Sequence, residues 1–368
     1  MTGNPLQSLA ALGQSVWLDY IQRRLIESGD LKRMIDEDGL RGMTSNPAIF
    51  EKAITGSHDY DDDIRRLAGE GNDVASIYEA LSVRDVQDAA DVFQTVYDAS
   101  EGRDGFVSLE VNPHLAHDTL GTVEEARRLW TALNRPNVLI KVPSTVEGLP
   151  AIRQLISEGI NVNVTLLFGL PRYREVAEAY LAGLESRSAG GHSIDRVASV
   201  ASFFVSRIDT LVDALLEERI SQGGSAGEIA KELLGHVAVA SAKLAYQQYK
   251  ELFGSGRFKT LAGKGARVQR LLWGSTSTKN PDYSDVKYVE PLIGPDTVNT
   301  LPVETFHAYR DHGQPEVRIE DGLEHANWVL QQLPKLEIDL DRVTQQLEDE
   351  GVEKFNQPFD KLLSAIAG

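Results

Sequence analysis

The sequence predicts an α/β protein folded as a single (β/α)8 TIM barrel, with additional helices at its N- and C-terminal ends. Apolar segments of strand length alternate with helix-period stretches about eight times along the 368 residues. Such alternation indicates a parallel sheet, and eight units in one chain favour a closed barrel. A doubly wound open sheet is the alternative, which is weakened because no G-x-G-x-x-G motif follows the first strand segment.

The predicted strands are short apolar segments, and the predicted helices are longer segments with helical periodicity. We predict strands at 16–20, 40–45, 106–111, 138–142, 163–168, 198–205, 270–275 and 288–293. Helices are predicted at 74–99, 123–133, 149–158, 172–185, 208–218, 226–250 and 303–312. The glycine-rich segments 221–227 and 254–265 are predicted to be surface loops.

Further helices extend the eight units at both ends. Asn4-Pro5 precedes leucines at helical spacing, which indicates a capped N-terminal helix. Segments 320–333, 340–350 and 359–366 carry helical patterns after the last unit. Because no linker or repeat divides the chain, we predict one domain over 1–368, with 338–368 as a C-terminal helical extension packed on the barrel.

Composition restricts the possible partners. The 37 basic residues are outnumbered by 55 acidic residues, which gives a net charge of −18 and argues against a nucleic-acid or anionic-membrane partner. The absence of cysteine excludes disulfides, thiolate catalysis and zinc–thiolate sites. The N-terminal residues do not resemble a signal peptide, and no apolar run is long enough to span a membrane, so we expect a cytoplasmic protein.

The predicted fourth strand contains a lysine in an otherwise aliphatic segment. Every residue of 138–142 except Lys141 is Val, Leu or Ile, the pattern of a strand buried on both faces. A buried ammonium is costly, so such a lysine either finds a carboxylate or loses its proton. A neutral lysine can form a Schiff base with a carbonyl substrate. A lysine at a strand end whose amine reaches solvent is the structural alternative.

Polar and charged side chains recur near the ends of the other predicted strands, where the active sites of such barrels form. Each one alone could be a helix cap or a satisfied strand-end group. Together they offer a lysine, two carboxylates, neutral hydrogen-bonding groups and two cations suited to a phosphate. In chain order the candidates are Asp19, Asn46, Glu110, Lys141, Asn163, Thr165, Ser202, Arg207 and Lys279.

These motifs resemble those of the class I, Schiff-base-forming transaldolases, and in particular the longer bacterial type. The matching segments are Gly42-Met43-Thr44-Ser45-Asn46-Pro47, Ser108-Leu109-Glu110-Val111, Leu139-Ile140-Lys141-Val142-Pro143, Asn161-Val162-Asn163-Val164-Thr165-Leu166 and Ser202-Phe203-Phe204-Val205-Ser206-Arg207-Ile208-Asp209. They occur in the family's order across nearly the whole chain. The resemblance implies a (β/α)8 barrel that needs no cofactor and transfers a dihydroxyacetone unit from sedoheptulose 7-phosphate to glyceraldehyde 3-phosphate. The implied products are erythrose 4-phosphate and fructose 6-phosphate, as in the pentose phosphate pathway.

The same resemblance implies a role for each candidate. Lys141 would be the Schiff-base nucleophile, Glu110 the acid/base that acts through a water, and Asp19 the base for the substrate C4 hydroxyl. The remaining residues would bind substrate or water: Asn46 and Asn163 the hydroxyls of the dihydroxyacetone unit, Thr165 the catalytic water, and Ser202, Arg207 and Lys279 the phosphate.

Several alternatives stay open. Shorter family members carry an arginine where this chain has Lys279, and Lys264 or Arg267 are possible substitutes. A sugar-phosphate aldolase that releases dihydroxyacetone is the rival activity, and a non-catalytic sugar-phosphate-binding barrel is a further alternative. We expect no metal at His114 and His117, since no third ligand is evident. The chain could be a monomer or a homodimer.

Overall fold

Eight parallel strands form a closed barrel in the computed structural model, which describes residues 4–367. Each strand pairs with its neighbours in chain order, and β8 closes the barrel against β1. The predicted (β/α)8 barrel is therefore confirmed. The strands are β1 Gln14–Asp19, β2 Gly42–Thr44, β3 Phe106–Glu110, β4 Val138–Pro143, β5 Val162–Leu167, β6 Ser199–Phe204, β7 Arg270–Gly274 and β8 Thr297–Leu301.

Helices surround the barrel and extend it at both ends. They are α1 Pro5–Ala11, α2 Arg23–Glu27, α3 Asp30–Asp38, α4 Pro47–Thr55, α5 Asp61–Gly69, α6 Val74–Ala99, α7 Thr119–Leu133, α8 Gly148–Glu158, α9 Leu170–Ala189, α10 Ser206–Gln222, α11 Gly224–Leu233, α12 Val237–Phe253, α13 Gly256–Ala262, α14 Val303–His312, α15 Leu323–Gln332 and α16 Leu340–Ala367. Between residues 4 and 367, three short 3-10 helices lie at Pro113–Leu115, Glu290–Leu292 and Leu333–Leu336. Among residues 4–367, no helix is both long enough and apolar enough to cross a membrane.

The prediction of the eighth strand was wrong. Segment 288–293 contains the 3-10 helix Glu290–Leu292, and β8 begins at Thr297. The segment is apolar because it packs inside the protein: Leu292 is fully buried and its carbonyl oxygen accepts hydrogen bonds from Trp273 Nε1 and Gln14 Nε2. Strand β8 was not predicted because Thr297, Asn299 and Thr300 give its segment the composition of a polar loop.

In the C-terminal half, the helices differ from the prediction most clearly at three places. Segment 226–250 is divided between α11 and α12, because the chain turns at Gly235 with a φ of +70° that favours glycine. The expected surface loop 254–265 contains α13. The two C-terminal patterns join into the single helix α16, which includes Pro358. The assignment of 1–368 to one domain, with 338–368 as an extension, stays a prediction.

An apolar layer fills the barrel below its carboxyl-terminal end. Trp17, Leu139, Val200, Leu272 and Val298 are buried together there, one from each of five strands. Gly42 lets the Trp17 indole pack closely against β2, because a Cβ at residue 42 would be only 2.6 Å from the indole ring. The polar side chains of the strand ends lie directly above this layer, which we call the apolar floor.

Candidate active site

A cavity of about 150 Å3 opens at the carboxyl-terminal ends of the strands, above the apolar floor. Most of the residues selected from the sequence line it, namely Asp19, Asn46, Lys141, Thr165, Ser202, Arg207 and Lys279. The other two, Glu110 and Asn163, lie directly beside it and contact the lining residues Lys141 and Ser202. The strand-end residues are therefore brought to one place, as expected for this fold.

Lys141 is buried in β4 and reaches two partners at the edge of the cavity. Its Nζ lies 3.1 Å from Glu110 Oε2 and donates to the backbone carbonyl of Ser45 at 2.9 Å. Both side chains of the Lys141–Glu110 ion pair are 6% exposed. The alternative in which the Lys141 amine reaches solvent is thus excluded. The buried amine is instead paired with the Glu110 carboxylate, which offsets the cost of burying its charge.

Burial raises the pKa of the Glu110 carboxyl above its ordinary value, against the opposing effect of Lys141. Asp19, at the end of β1, behaves in the same way: burial raises its pKa, while Lys141, Thr44, Arg207 and Lys279 act to lower it. Thr44 Oγ1 donates to Asp19 Oδ1 at 2.7 Å and so orients the carboxyl group. Two carboxyl groups with raised pKa values beside one amine form an arrangement suited to proton transfer.

Asn163 is held on both sides in the barrel interior. Its amide nitrogen donates to Ser108 Oγ at 3.1 Å, and its amide oxygen accepts from Ser202 Oγ at 2.6 Å. The register explains the grouping, because Asn163 pairs with Lys141 across β4 and β5. Thr165, two residues further on the same face, is fully buried, and its hydroxyl has no partner within residues 4–367. Ser202 therefore orients Asn163, while Thr165 is available to a ligand.

Asn46 both borders the cavity and begins α4. Its side-chain oxygen accepts from the backbone N–H of Ile49 at 3.0 Å, the geometry of a helix N-cap. Pro47 follows as the first helical residue. The capping interpretation is thus correct for the side-chain oxygen, while the residue also lines the cavity.

Two cations lie at the outer side of the cavity. Arg207 is the second residue of α10; its guanidinium lies 5.6 Å from the Phe204 ring, and its buried Nη1 has no partner within residues 4–367. Burial lowers the pKa of Arg207 and also that of Lys279. Lys279 Nζ donates to Ser277 Oγ at 2.6 Å. Each cation adds to the positive potential around the other.

The proposed substitutes for Lys279 lie elsewhere. Arg267 precedes β7, so it belongs to the opposite end of the barrel, where its guanidinium donates to the carbonyl of Glu101 at 2.8 Å. Lys264 donates to Ser188 Oγ at 3.0 Å. Neither residue lines the cavity.

Sequence reasoning missed several residues that line this cavity, chiefly Thr44, Phe204, Ser277, Thr300 and Phe355. Thr300 was missed because the eighth strand was placed too early. Thr44 belongs to the segment 42–47, and Ser277 lies two residues before Lys279, so both were adjacent to residues that the sequence did select. Phe355 had none, because it lies on α16 and not at a strand end.

No group of three or more potential metal ligands occurs in the part of the chain from residue 4 to 367. His114 instead forms a 2.7 Å contact with Asp360, and His117 lies 3.2 Å from Glu147. The two histidines are thus engaged with different carboxylates at the surface.

Comparison with known proteins agrees with this geometry. A family model described as "Transaldolase/Fructose-6-phosphate aldolase" matches residues 16–366. A protein named transaldolase from Trichodesmium erythraeum is 50% identical over 370 residues, covering 100% of this chain and 97% of the relative. Transaldolases from Thiobacillus denitrificans and Saccharopolyspora erythraea are 49% and 48% identical, each covering 99% of this chain and 99% or 97% of their own lengths.

The chain belongs to the transaldolase/fructose-6-phosphate aldolase family, and it is an enzyme of the transferase class. Within that family, its similarity over the full length is to proteins named transaldolase. The family resemblance inferred from the motifs is therefore confirmed.

Proposed function

We propose that this transaldolase transfers a dihydroxyacetone unit from sedoheptulose 7-phosphate to glyceraldehyde 3-phosphate, with Lys141 as the Schiff-base nucleophile. The observation that carries the proposal is the buried Lys141 amine, 3.1 Å from Glu110 and lining the cavity together with Asp19. Full-length similarity to transaldolases supports the same reaction.

Each step assigns a bond change to one of these three residues. Glu110 accepts a proton from the paired Lys141 ammonium, and the free amine adds to the C2 carbonyl of the ketose. Glu110 then gives this proton to the departing hydroxyl as the carbinolamine loses water. Asp19 then accepts the proton of the C4 hydroxyl while the C3–C4 bond breaks. The electron pair of that bond moves into the iminium, which acts as the electron sink, and the aldose phosphate leaves. The same steps in reverse join the bound unit to the acceptor aldehyde.

The protonation properties suit these roles. A general acid at neutral pH needs a carboxyl group whose pKa is above the ordinary value, and burial raises the pKa of Glu110 in that direction. Asp19 must accept a proton and later return it, which is easier for a carboxyl group whose pKa is raised in the same way.

The neutral residues would hold the hydroxyl groups of the bound unit and the catalytic water. Asn163 lies in register with Lys141, so its amide is within the same layer as the reacting nitrogen. Thr165 offers a buried hydroxyl that has no partner within residues 4–367. Asn46 would bind through its amide nitrogen, because its oxygen caps α4.

The phosphate group would bind between Arg207 and Lys279. Arg207 Nη1 is buried without a partner in the described chain, which favours a ligand that brings negative charge. Guanidinium groups form paired hydrogen bonds with phosphate, and the ammonium of Lys279 adds a point charge. Ser277 Oγ accepts from Lys279 Nζ, whereas Ser202 Oγ donates to Asn163. Ser277 is therefore better placed than Ser202 to complete the phosphate site.

Borohydride reduction in the presence of fructose 6-phosphate tests the nucleophile. We expect the mass of the reduced dihydroxyacetone adduct to appear on the peptide that contains Lys141, with the peptide of the buried Lys243 as an unlabelled internal control. Label on Lys243 or on any other lysine instead of Lys141 would contradict the mechanism. Transfer is tested in parallel by adding erythrose 4-phosphate and measuring sedoheptulose 7-phosphate.

A fructose-6-phosphate aldolase is the second candidate, because the family description includes both activities. In that reaction the dihydroxyacetone unit is released into solution. Comparison of released dihydroxyacetone with transferred product separates the two activities. A cytoplasmic location and a monomeric or homodimeric state stay proposals.

A further inference from the structure

The C-terminal helix α16 crosses the mouth of the barrel and is attached at several points. Asp360 lies 2.7 Å from His114, which belongs to the 3-10 helix that follows β3. Glu348 lies 3.2 Å from Arg172 near the start of α9, which follows β5. Since both attachment points come after the carboxyl ends of strands, α16 lies across the end of the barrel that holds the cavity.

A close contact fixes the height of α16 above the barrel. The register of β5 shifts between Val164 and Leu167, and Leu166 has a φ of +56°, which leucine rarely adopts. The Leu166 side chain then reaches Gly351 of α16, where an added Cβ would be 2.9 Å from Leu166 Cδ2. A glycine at residue 351 therefore allows the helix to approach the strand end closely.

Phe355 lies one helical turn after Gly351 and on the same face. The residue is 4% exposed and lines the cavity, as Thr165 does. The centre of its ring is 5.8 Å from Lys141 Nζ. The wall nearest to the lysine nitrogen thus includes an apolar ring that is supplied by a helix and not by the barrel.

We infer that Phe355 is a specificity-determining residue that favours transfer of the dihydroxyacetone unit over its release. The inference rests on the proposed function, in which cleavage leaves this unit on Lys141 as an enamine. Two fates then compete. In transfer, the enamine carbon attacks the acceptor aldehyde. In release, a proton adds to that carbon, water adds to the resulting iminium, and the carbinolamine expels the Lys141 amine together with free dihydroxyacetone.

Release requires a proton at the enamine carbon, close to the Phe355 ring, whereas transfer requires the acceptor aldehyde at that carbon. Addition of water to an iminium follows in both cases, so the step that separates the two fates is the protonation of carbon. An aromatic ring offers neither an acidic proton nor a hydrogen bond with which to orient a proton-donating water at that carbon, and exclusion of water protects reactive intermediates from proton leakage. Removal of the ring should therefore favour release more than it impairs transfer.

The test compares Phe355→Ala and Phe355→Leu with the matched control Phe359→Ala. Phe359 lies one turn further along α16 and packs on Tyr78, with ring centres 5.5 Å apart, but does not line the cavity. With fructose 6-phosphate as donor, dihydroxyacetone release is measured without acceptor, and sedoheptulose 7-phosphate formation is measured with erythrose 4-phosphate. Circular dichroism and a urea titration establish that each variant is folded.

We expect the ratio of release to transfer to rise at least about tenfold in Phe355→Ala, to rise less in Phe355→Leu, and to stay unchanged in Phe359→Ala. An unchanged ratio in both Phe355 variants, or an equal rise in Phe359→Ala, overturns the inference. Proportional loss of both products in the Phe355 variants also overturns it, because the ring would then be only structural. Failure of the parent protein to form sedoheptulose 7-phosphate would instead reject the proposed function.

Discussion

Replacement of Glu110 by glutamine should destabilise the protein by about 3 kcal/mol at neutral pH, at the lower end of the range for breaking a buried ion pair. The variant keeps the size of the side chain and an oxygen that can accept from Lys141, but removes the negative charge. Both members of the pair are 6% exposed, so water cannot replace the lost partner.

The magnitude follows from the geometry of the pair. Two unit charges separated by 3.1 Å attract each other by about 5 kcal/mol at an effective dielectric constant of about 20. This attraction is offset by the cost of removing both groups from water, so the net value of the intact pair is small. The single substitution is costly because it removes this attraction and leaves the Lys141 amine buried without its hydrogen-bonded counter-charge. Replacement of both residues, as in Glu110→Gln with Lys141→Met, should restore stability to within about 1 kcal/mol of the parent.

Equilibrium urea unfolding, followed by the fluorescence of the buried Trp17 and Trp273, measures these free energies. The control is Asp36→Asn, which breaks an exposed pair with Lys32 whose side chains are 55% and 54% exposed and should cost about 0.5 kcal/mol or less. The reasoning is refuted if Glu110→Gln costs no more than this control. It is also refuted if the destabilisation of the double variant equals the sum of the destabilisations measured for Glu110→Gln and Lys141→Met separately.

Three further predictions concern other parts of the molecule. With saturating fructose 6-phosphate as donor, Arg207→Ala should raise KM for the acceptor erythrose 4-phosphate about ten- to a hundredfold, since hydrogen bonds to charged groups contribute about 1.5–3 kcal/mol. KM for unphosphorylated glyceraldehyde as acceptor should stay nearly unchanged, and an equal rise for both acceptors would contradict a phosphate role. Burial raises the pKa of Asp209 from 3.8 to about 6, so the free energy of unfolding should fall by about 3 kcal/mol as the pH rises from 3.8 to about 6. The variant Asp209→Asn should lack this fall when unfolding is measured across the same pH range. Identical pH profiles for the variant and the parent would refute the prediction. Gly351→Ala should lower the free energy of unfolding by about 1–3 kcal/mol because the added Cβ would meet Leu166. The control Gly256→Ala, whose Cβ would have no atom within 4 Å, should be neutral in the same unfolding assay. Equal effects of the two substitutions would exclude the packing argument.

The sequence was sufficient for the barrel because seven of its strands overlap the segments that the sequence pattern predicts. It was insufficient for the eighth, since burial and strand formation are separate properties. Leu292 and Ile293 are fully buried at the end of a 3-10 helix, while the strand that follows carries Thr297 and Asn299. Patterns of polarity report burial directly and backbone conformation only indirectly.

The site was predictable to the extent that barrel geometry brings strand ends together. This rule was enough to group Lys141 with Asp19 and Arg207 around one cavity. It could not indicate that the Ser202 hydroxyl donates to Asn163, because that contact depends on side-chain orientation across neighbouring strands. Nor could it find Phe355, whose approach to the lysine depends on how a distant helix packs.

Asn46 joins two requirements in one side chain, since its oxygen caps α4 while the residue borders the cavity. Loss of an N-cap costs about 1 kcal/mol, so a substitution chosen to alter ligand contacts here also loosens the start of that helix. Aspartate, serine and threonine retain the capping oxygen, whereas apolar side chains do not. In a library designed to change substrate preference, the useful chemical diversity at residue 46 is therefore limited by helix stability before it is limited by catalysis.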